Sequence, residues 1–304
     1  MSNAAHKMSA WLHEPVMLQE AGELLLANRP AIIVDVTVGA GGHAEALLEH
    51  SACNRLVGLD RDAHALAAAA ERLARFGDRA VLRQADFAAL DTTLDELGID
   101  QIDALLADLG MSSLALDDPA RGFSFQSDGP LDMRMDQDQT LSARDLVNEE
   151  TEAELTRIIR DYGEERHARR IARTIVAARR PRPIETTFQL RAIIERALGP
   201  RRIAGMHPAT RTFQALRIAV NRELESLAAL LVSGPARLAP GGRMVTLAYH
   251  SLEDRPVKES FRTLARSGGY VAITGKPMRP STAEVARNSR ARSARLRCLE
   301  RGAQ

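Results

Sequence analysis

The chain has 304 residues, a formal net charge of +1 and 45% hydrophobic residues, enough apolar material for one large core or two modest ones. Disorder is therefore excluded as a default. No apolar run reaches the length of a membrane span and no signal peptide opens the chain, so a soluble cytoplasmic protein is expected. Two distant cysteines, Cys53 and Cys298, with no Cys/His cluster, argue against a disulfide framework or a metal site.

Met1–Lys7 reads as a loose start. His13-Glu14-Pro15-Val16-Met17 then leads into an amphipathic helix, Leu18–Ala27, that ends before Pro30. Ala31–Val38 is a β-branched apolar run, a buried strand with Asp35 in its middle, where the acid anchors the following turn. Gly39, Gly41 and Gly42 make that turn, and Ala44–His50 carries a helix pattern. Strand, glycine turn and helix start build the ligand crevice of a doubly wound α/β domain. Val57-Gly58-Leu59-Asp60 is the next strand, and its terminal acid suits the two hydroxyls of a ribose. A dinucleotide fingerprint fails, because Ala44 stands where the third glycine belongs. Crowded glycines, no phosphate-binding Lys and a downstream acid fit S-adenosylmethionine better.

The alternation continues. Ala63–Phe76 reads as a helix, Ala80–Arg83 as a strand, Leu90–Leu97 as a helix stopped by Gly98, and Ile102–Leu109 as a strand closed by Gly110-Met111-Ser112-Ser113. This order implies a parallel sheet. From Leu114 the character changes. Asp117–Asp138 is rich in Gly, Pro, Asp and Met without periodicity. Thr151 and Thr186 open capping boxes for two helices, and a third runs between them from about Glu165 to Arg180, stopped by Pro181. An all-helical block thus interrupts the α/β chain. The sheet pattern returns near Pro208, with a long helix over Thr212–Leu231, a tight turn at Leu238-Ala239-Pro240-Gly241-Gly242-Arg243 and a strand at Met244–Tyr249. A helix over Leu252–Ala265 and strands at Tyr270–Thr274 and Ala294–Leu299 complete it. The expected division is 1–113 and 209–304 for the core, with 114–208 inserted.

These segments together resemble the bacterial 16S ribosomal RNA cytosine-N4 methyltransferase family, RsmH or MraW. The likeness rests on His13-Glu14-Pro15-Val16, Asp35–His43, Leu59-Asp60-Arg61-Asp62, Asp108–Ser113, Arg121-Gly122-Phe123-Ser124-Phe125 and Asp128–Met135. Tyr162-Gly163-Glu164-Glu165, His207–Ala215, His250–Arg255 and Asn288–Ser293 continue it over nearly the whole chain. The resemblance implies a class I S-adenosylmethionine-dependent methyltransferase, a Rossmann-like, mostly parallel sheet with an inserted helical domain that helps recognise RNA. It also implies cofactor contacts at Gly41, Gly42, His43, Asp60, Phe87 and Asp108. Where the family often carries Gln two residues after the Ser-Ser pair, this chain has Ala115.

Each assignment has a plainer reading beside it. His43 also fits a helix cap, Phe87 ordinary core, and Glu253 and Asp254 caps of the helix near Leu252. The Asp/Asn-Pro-Pro-aromatic loop of many amino methyltransferases is absent after the fourth strand. Asp108 or a nearby carbonyl is then the acceptor for the cytosine amino group, and Phe123, Phe125, Tyr249 and His250 are the candidate stacking partners. Nine Arg lie between Arg157 and Arg182, and the stretch Arg279–Arg301 is similarly rich. They read as a solvated face or as phosphate contacts, with Arg211 a candidate for the RNA backbone. The expected partner is 16S ribosomal RNA or an assembled small subunit, with a homodimer compatible. The alternatives are a DNA amino-methyltransferase and an inactive RNA-binding protein on the same fold.

Overall fold

Seven strands order themselves β3-β2-β1-β4-β5-β7-β6 in one sheet, parallel from β3 to β5 and antiparallel at β7 and β6. They are β1 (Ile32–Asp35), β2 (Arg55–Asp60), β3 (Ala80–Gln84), β4 (Ile102–Asp108), β5 (Leu238–Ala248), β6 (Tyr270–Ala272) and β7 (Arg295–Arg301). The computed structural model describes residues 15–50, 53–199 and 207–302. His13 and Glu14, the start at Met1–Lys7 and Pro200 lie outside them. The chain forms two units, Met1–Ser112 with Leu224–Gln304, and Ser113–Glu223.

In the first unit each buried strand alternates its side chains between two cores. Ile33, Leu56, Ala104, Leu106, Val245 and Leu247 face α1 (Leu18–Leu26), α2 (Gly42–His50) and α3 (Ala63–Leu73). Val34, Val57, Leu105, Ala107 and Met244 face α4 (Leu90–Glu96), α11 (Glu223–Arg237) and α12 (Ser251–Arg266). A short helix, α13 (Thr282–Arg287), precedes β7. Strand order reverses at β1, which pairs with β2 on one side and β4 on the other. Ligands of open α/β sheets bind at that switch, beyond the carboxyl ends of the strands.

The second unit holds α5 (Ser113–Asp117), α6 (Ala143–Glu149), α7 (Glu152–Asp161), α8 (Ala168–Arg179), α9 (Thr187–Leu198) and α10 (Thr210–Asn221). α8 packs on α6, α7 and α9, and α10 on α6 and α7. Leu155, Ile159, Ile171, Ile175, Leu190, Ile194 and Leu216 are fully buried within it. The aperiodic stretch before α6 is held by side chains bonded to backbone. Arg121 donates to the carbonyls of Arg134 and Met135, and Arg134 forks onto Asp132.

Several expectations change. Asp35 ends β1 rather than standing mid-strand, because Thr37 N and Oγ1 already bond its carboxylate. The single helix expected over Thr212–Leu231 is two, broken at Arg222, which adopts φ 49°. Asn221 stands immediately before the break. Its side chain donates to the carbonyls of Met133 and Arg217 and accepts from Met135 N. The expected tight turn at Leu238 falls inside β5, as an irregularity between the Ile102–Leu238 and Ala104–Arg243 pairs. The helical unit begins at Ser113, one residue before the expected boundary, and ends at Glu223 rather than 208, since α10 packs on helices of that unit. The Thr186 capping box forms in full, whereas at Thr151 Glu154 turns its carboxylate to Arg157 instead. Ser142 and Asp145 form a further box that the sequence reading passed over.

Candidate active site

Three adjacent strands end in acids, Asp35 on β1, Asp60 on β2 and Asp108 on β4. Each is pinned by donors from the loop that follows it or from a loop after a neighbouring strand. Asp60 accepts from Gly39 N and Asp62 N, both at 2.9 Å. Asp108 Oδ1 accepts from Tyr249 Oη at 2.8 Å and Gly110 N at 3.3 Å, while Asp108 N donates to Thr37 Oγ1 at 2.7 Å. Burial dominates their titration. It pushes Asp35 up to about 7 and Asp60 up to about 6, and it raises Asp108. Asp60 and Asp108 further raise Asp35 by like-charge repulsion.

These three carboxylates favour one class of ligand. Clustered carboxylates at the switch point repel a pyrophosphate and attract a cation. Arg61, the nearest base in sequence to Asp60, is engaged with Asp86. The acidic lining fits the sulfonium and ammonium of S-adenosylmethionine, with Asp60 placed for a ribose.

The glycine turn is shaped by packing as well as by any ligand. A Cβ on Gly42 would lie 2.5 Å from Pro15 Cγ, and Gly41 adopts φ 82°. His43, in the first turn of α2, is buried and contacts the Val16 carbonyl through Nε2 at 3.1 Å. A carbonyl only accepts, so Nε2 carries the proton. Burial lowers the His43 pKa and keeps the ring neutral. Phe87 opens a 3₁₀ turn, with the Arg61 guanidinium 5.6 Å from its ring centroid.

Tyr249 and His250 follow β5. Glu253, on the first turn of α12, accepts from Tyr249 N at 2.8 Å and lies 3.0 Å from His250 Nε2. Asp254 instead takes Arg297 and Arg295 in ion pairs. The other three candidates belong to the helical unit. Phe123 is buried beside Arg121, and Phe125 stacks on His207 at 4.7 Å with Phe213 edge-on at 5.1 Å. Arg211 donates to the Glu164 carbonyl. Ala115 is buried in α5. Sequence reasoning missed Thr37 and the tie between Tyr249 and Asp108. Only the Gly110 gap between them is a local signal.

A profile of the MraW methylase family matches residues 10–302. The chain belongs to that family. It is 52% identical to "Ribosomal RNA small subunit methyltransferase H" of Geotalea uraniireducens (strain Rf4), over 97% of this chain and 100% of the relative. The protein of the same name from Mycolicibacterium smegmatis (strain ATCC 700084 / mc(2)155) is 46% identical, over 95% of this chain and 84% of its own. Membership of the MraW methylases makes the seven-stranded unit a class I methyltransferase fold and S-adenosylmethionine its methyl donor. Among the described residues, no helix is long and apolar enough to cross a membrane.

Proposed function

We propose that this protein methylates N4 of a cytidine in 16S ribosomal RNA, in the decoding region of the small subunit, and that it works in the cytoplasm. Asp108 carries the reading: a strand-end carboxylate whose Oδ2 accepts from none of the described residues. Cytosine N4 is a weak nucleophile, because its lone pair is delocalised into the ring. The chain must hold N4 in line and accept a hydrogen bond from it as positive charge develops. Asp108 Oδ2 does this and takes the proton that N4 loses. Asp60 holds the ribose hydroxyls, Phe87 packs on the adenine, and the turn at Gly41, Gly42 and His43 takes the methionine end. When bound, S-adenosylmethionine supplies a methyl already activated on a sulfonium. The cytosine reaches the pocket unstacked.

The arginines between 157 and 182 sort into two groups. Arg157 and Arg160 pair with Glu154 and Asp161, and Arg179 donates to the carbonyls of Val147 and Glu150. Arg166, Arg169, Arg170, Arg173, Arg180 and Arg182 are exposed and pair with no described residue. These six, with Arg211, supply the phosphate contacts that RNA requires. The test is transfer of labelled methyl to small subunits from cells lacking the enzyme, with nucleosides identified by mass. N4-methylated cytidine is the expected product. No transfer to subunits or naked RNA, with cofactor still bound, would move the reading to DNA or to an inactive binding protein.

A further inference from the structure

We infer that Tyr249 is a positioning residue of the methyl-transfer site, orienting Asp108 through a hydroxyl-to-carboxylate hydrogen bond so that one carboxylate oxygen is kept for the cytosine amino group. The inference rests on the reading of Asp108 as the acceptor. Four contacts converge on it. β4 and β5 are neighbours, with Asp108 opposite Leu247, so the residue two beyond Leu247 comes to the end of β4. Glu253, itself 3% exposed, fixes the Tyr249 backbone at 2.8 Å. The ring lies against Gly110, where an added Cβ would be 2.7 Å from Tyr249 Cε2. The hydroxyl reaches Asp108 Oδ1 at 2.8 Å.

With Gly110 N as second donor, Oδ1 has both lone-pair positions filled. Oδ2 is left for substrate. The ring is seated on Gly110 and anchored at its hydroxyl, which fixes its position relative to Asp108. Burial and Asp108 hold the Tyr249 hydroxyl well above its ordinary range, so it keeps its proton while Asp108 takes the one from N4. Among the described residues, Asp108 is acted on by His43 from α2, Asp35 from β1, Glu253 from α12 and Tyr249, and Glu284 from α13 acts on both Tyr249 and His43. The Tyr249 bond lowers the Asp108 pKa against the burial that raises it. Its removal therefore raises that pKa further.

The experiment compares the full chain with Tyr249→Phe, Gly110→Ala and the double variant on small subunits lacking the methyl group. Tyr249→Phe keeps the ring and is expected to lower kcat about tenfold, with KM for cofactor and RNA within about twofold. Its acid limb moves to higher pH. In the free protein, the ¹³C carboxyl titration of Asp108, assigned with Asp108→Asn, also moves to higher pH. Gly110→Ala reproduces these changes by displacing the ring, and the double variant is no worse than the stronger single. An unmoved Asp108 titration in Tyr249→Phe overturns the inference, as does a loss confined to KM for RNA, which belongs to a stacking residue. Should the unaltered protein methylate no RNA, the substrate reading fails, and the carboxyl titration still decides the role of Tyr249.

Discussion

Asp60 and Asp108 are both strand-end acids, yet their surroundings divide their work. Asp60 is tied on both oxygens to backbone amides, which suits the proposed role of a rigid acceptor for ribose hydroxyls. Asp60→Ala is expected to weaken S-adenosylmethionine binding about 10–100-fold, read by calorimetry. Asp108→Ala is expected to lower kcat about 100-fold or more with cofactor affinity kept within about threefold. Loss of both would instead make Asp108 chiefly a cofactor contact. The raised carboxyls also predict a pH response. Asp35 is held near 7 in the fold against an ordinary 3.8, so its protonated form is favoured by folding. The stability it contributes is present below about 4 and is lost as pH rises through 7. A cationic cofactor favours the ionised form, so its binding releases protons near pH 6–7 and tightens as pH climbs. Calorimetry in buffers of different ionisation heat measures that release, and none would count against the acidic cluster as the cation's seat. Both acids are legible in the sequence because each ends an apolar strand. The tie from Tyr249 is not, since it joins residues 141 apart through strand adjacency that no local pattern encodes.

Periodicity located the elements well where burial was one-sided and less well where a side chain overruled it. The apolar stripe of Leu216, Val220, Leu224, Leu227 and Leu231 runs straight through a break, because hydrophobic spacing carries no information about Asn221. That asparagine is 2% exposed and serves three backbone groups of two segments. Asn221→Ala leaves the Met135 amide and the Met133 carbonyl without it, and is expected to cost about 2–4 kcal/mol in denaturant unfolding. A cost below about 1 kcal/mol would mean that the break is set elsewhere. The Asp117–Asp138 stretch was opaque for a related reason. Its order comes from Arg121 and Arg134 bonded to carbonyls and an acid, which composition shows only as a loop.

For the molecule as a whole, a net charge of +1 conceals how unevenly the cations are engaged. Arg295 and Arg297 are held by Asp254 and Arg237 by Asp91 and Asp95, whereas the six on and beside α8 are bound to nothing described. Replacing Arg169, Arg170 and Arg173 by Ala is therefore expected to weaken RNA binding and reduce the slope of log K against log salt by about 2. An unchanged slope, with affinity unchanged, would return that face to plain solvation.

The 113–223 unit also has a consequence for how the chain is made. β4 is complete at Asp108, but its partner β5 begins only at Leu238, about 130 residues later. At translation speeds of about 5–20 residues per second, β4 is the outer rung of a half-built sheet for roughly 6–26 s. During that interval Ala104, Leu105 and Leu106 present an apolar strand with open amides and carbonyls to the crowded surface of a working ribosome. The helical unit joins distant segments, Ser127 to Thr187 and Met133 to Asn221, and is complete only at Glu223, shortly before β5 begins. The sheet therefore closes only once β5 has been made, late in the synthesis of the chain.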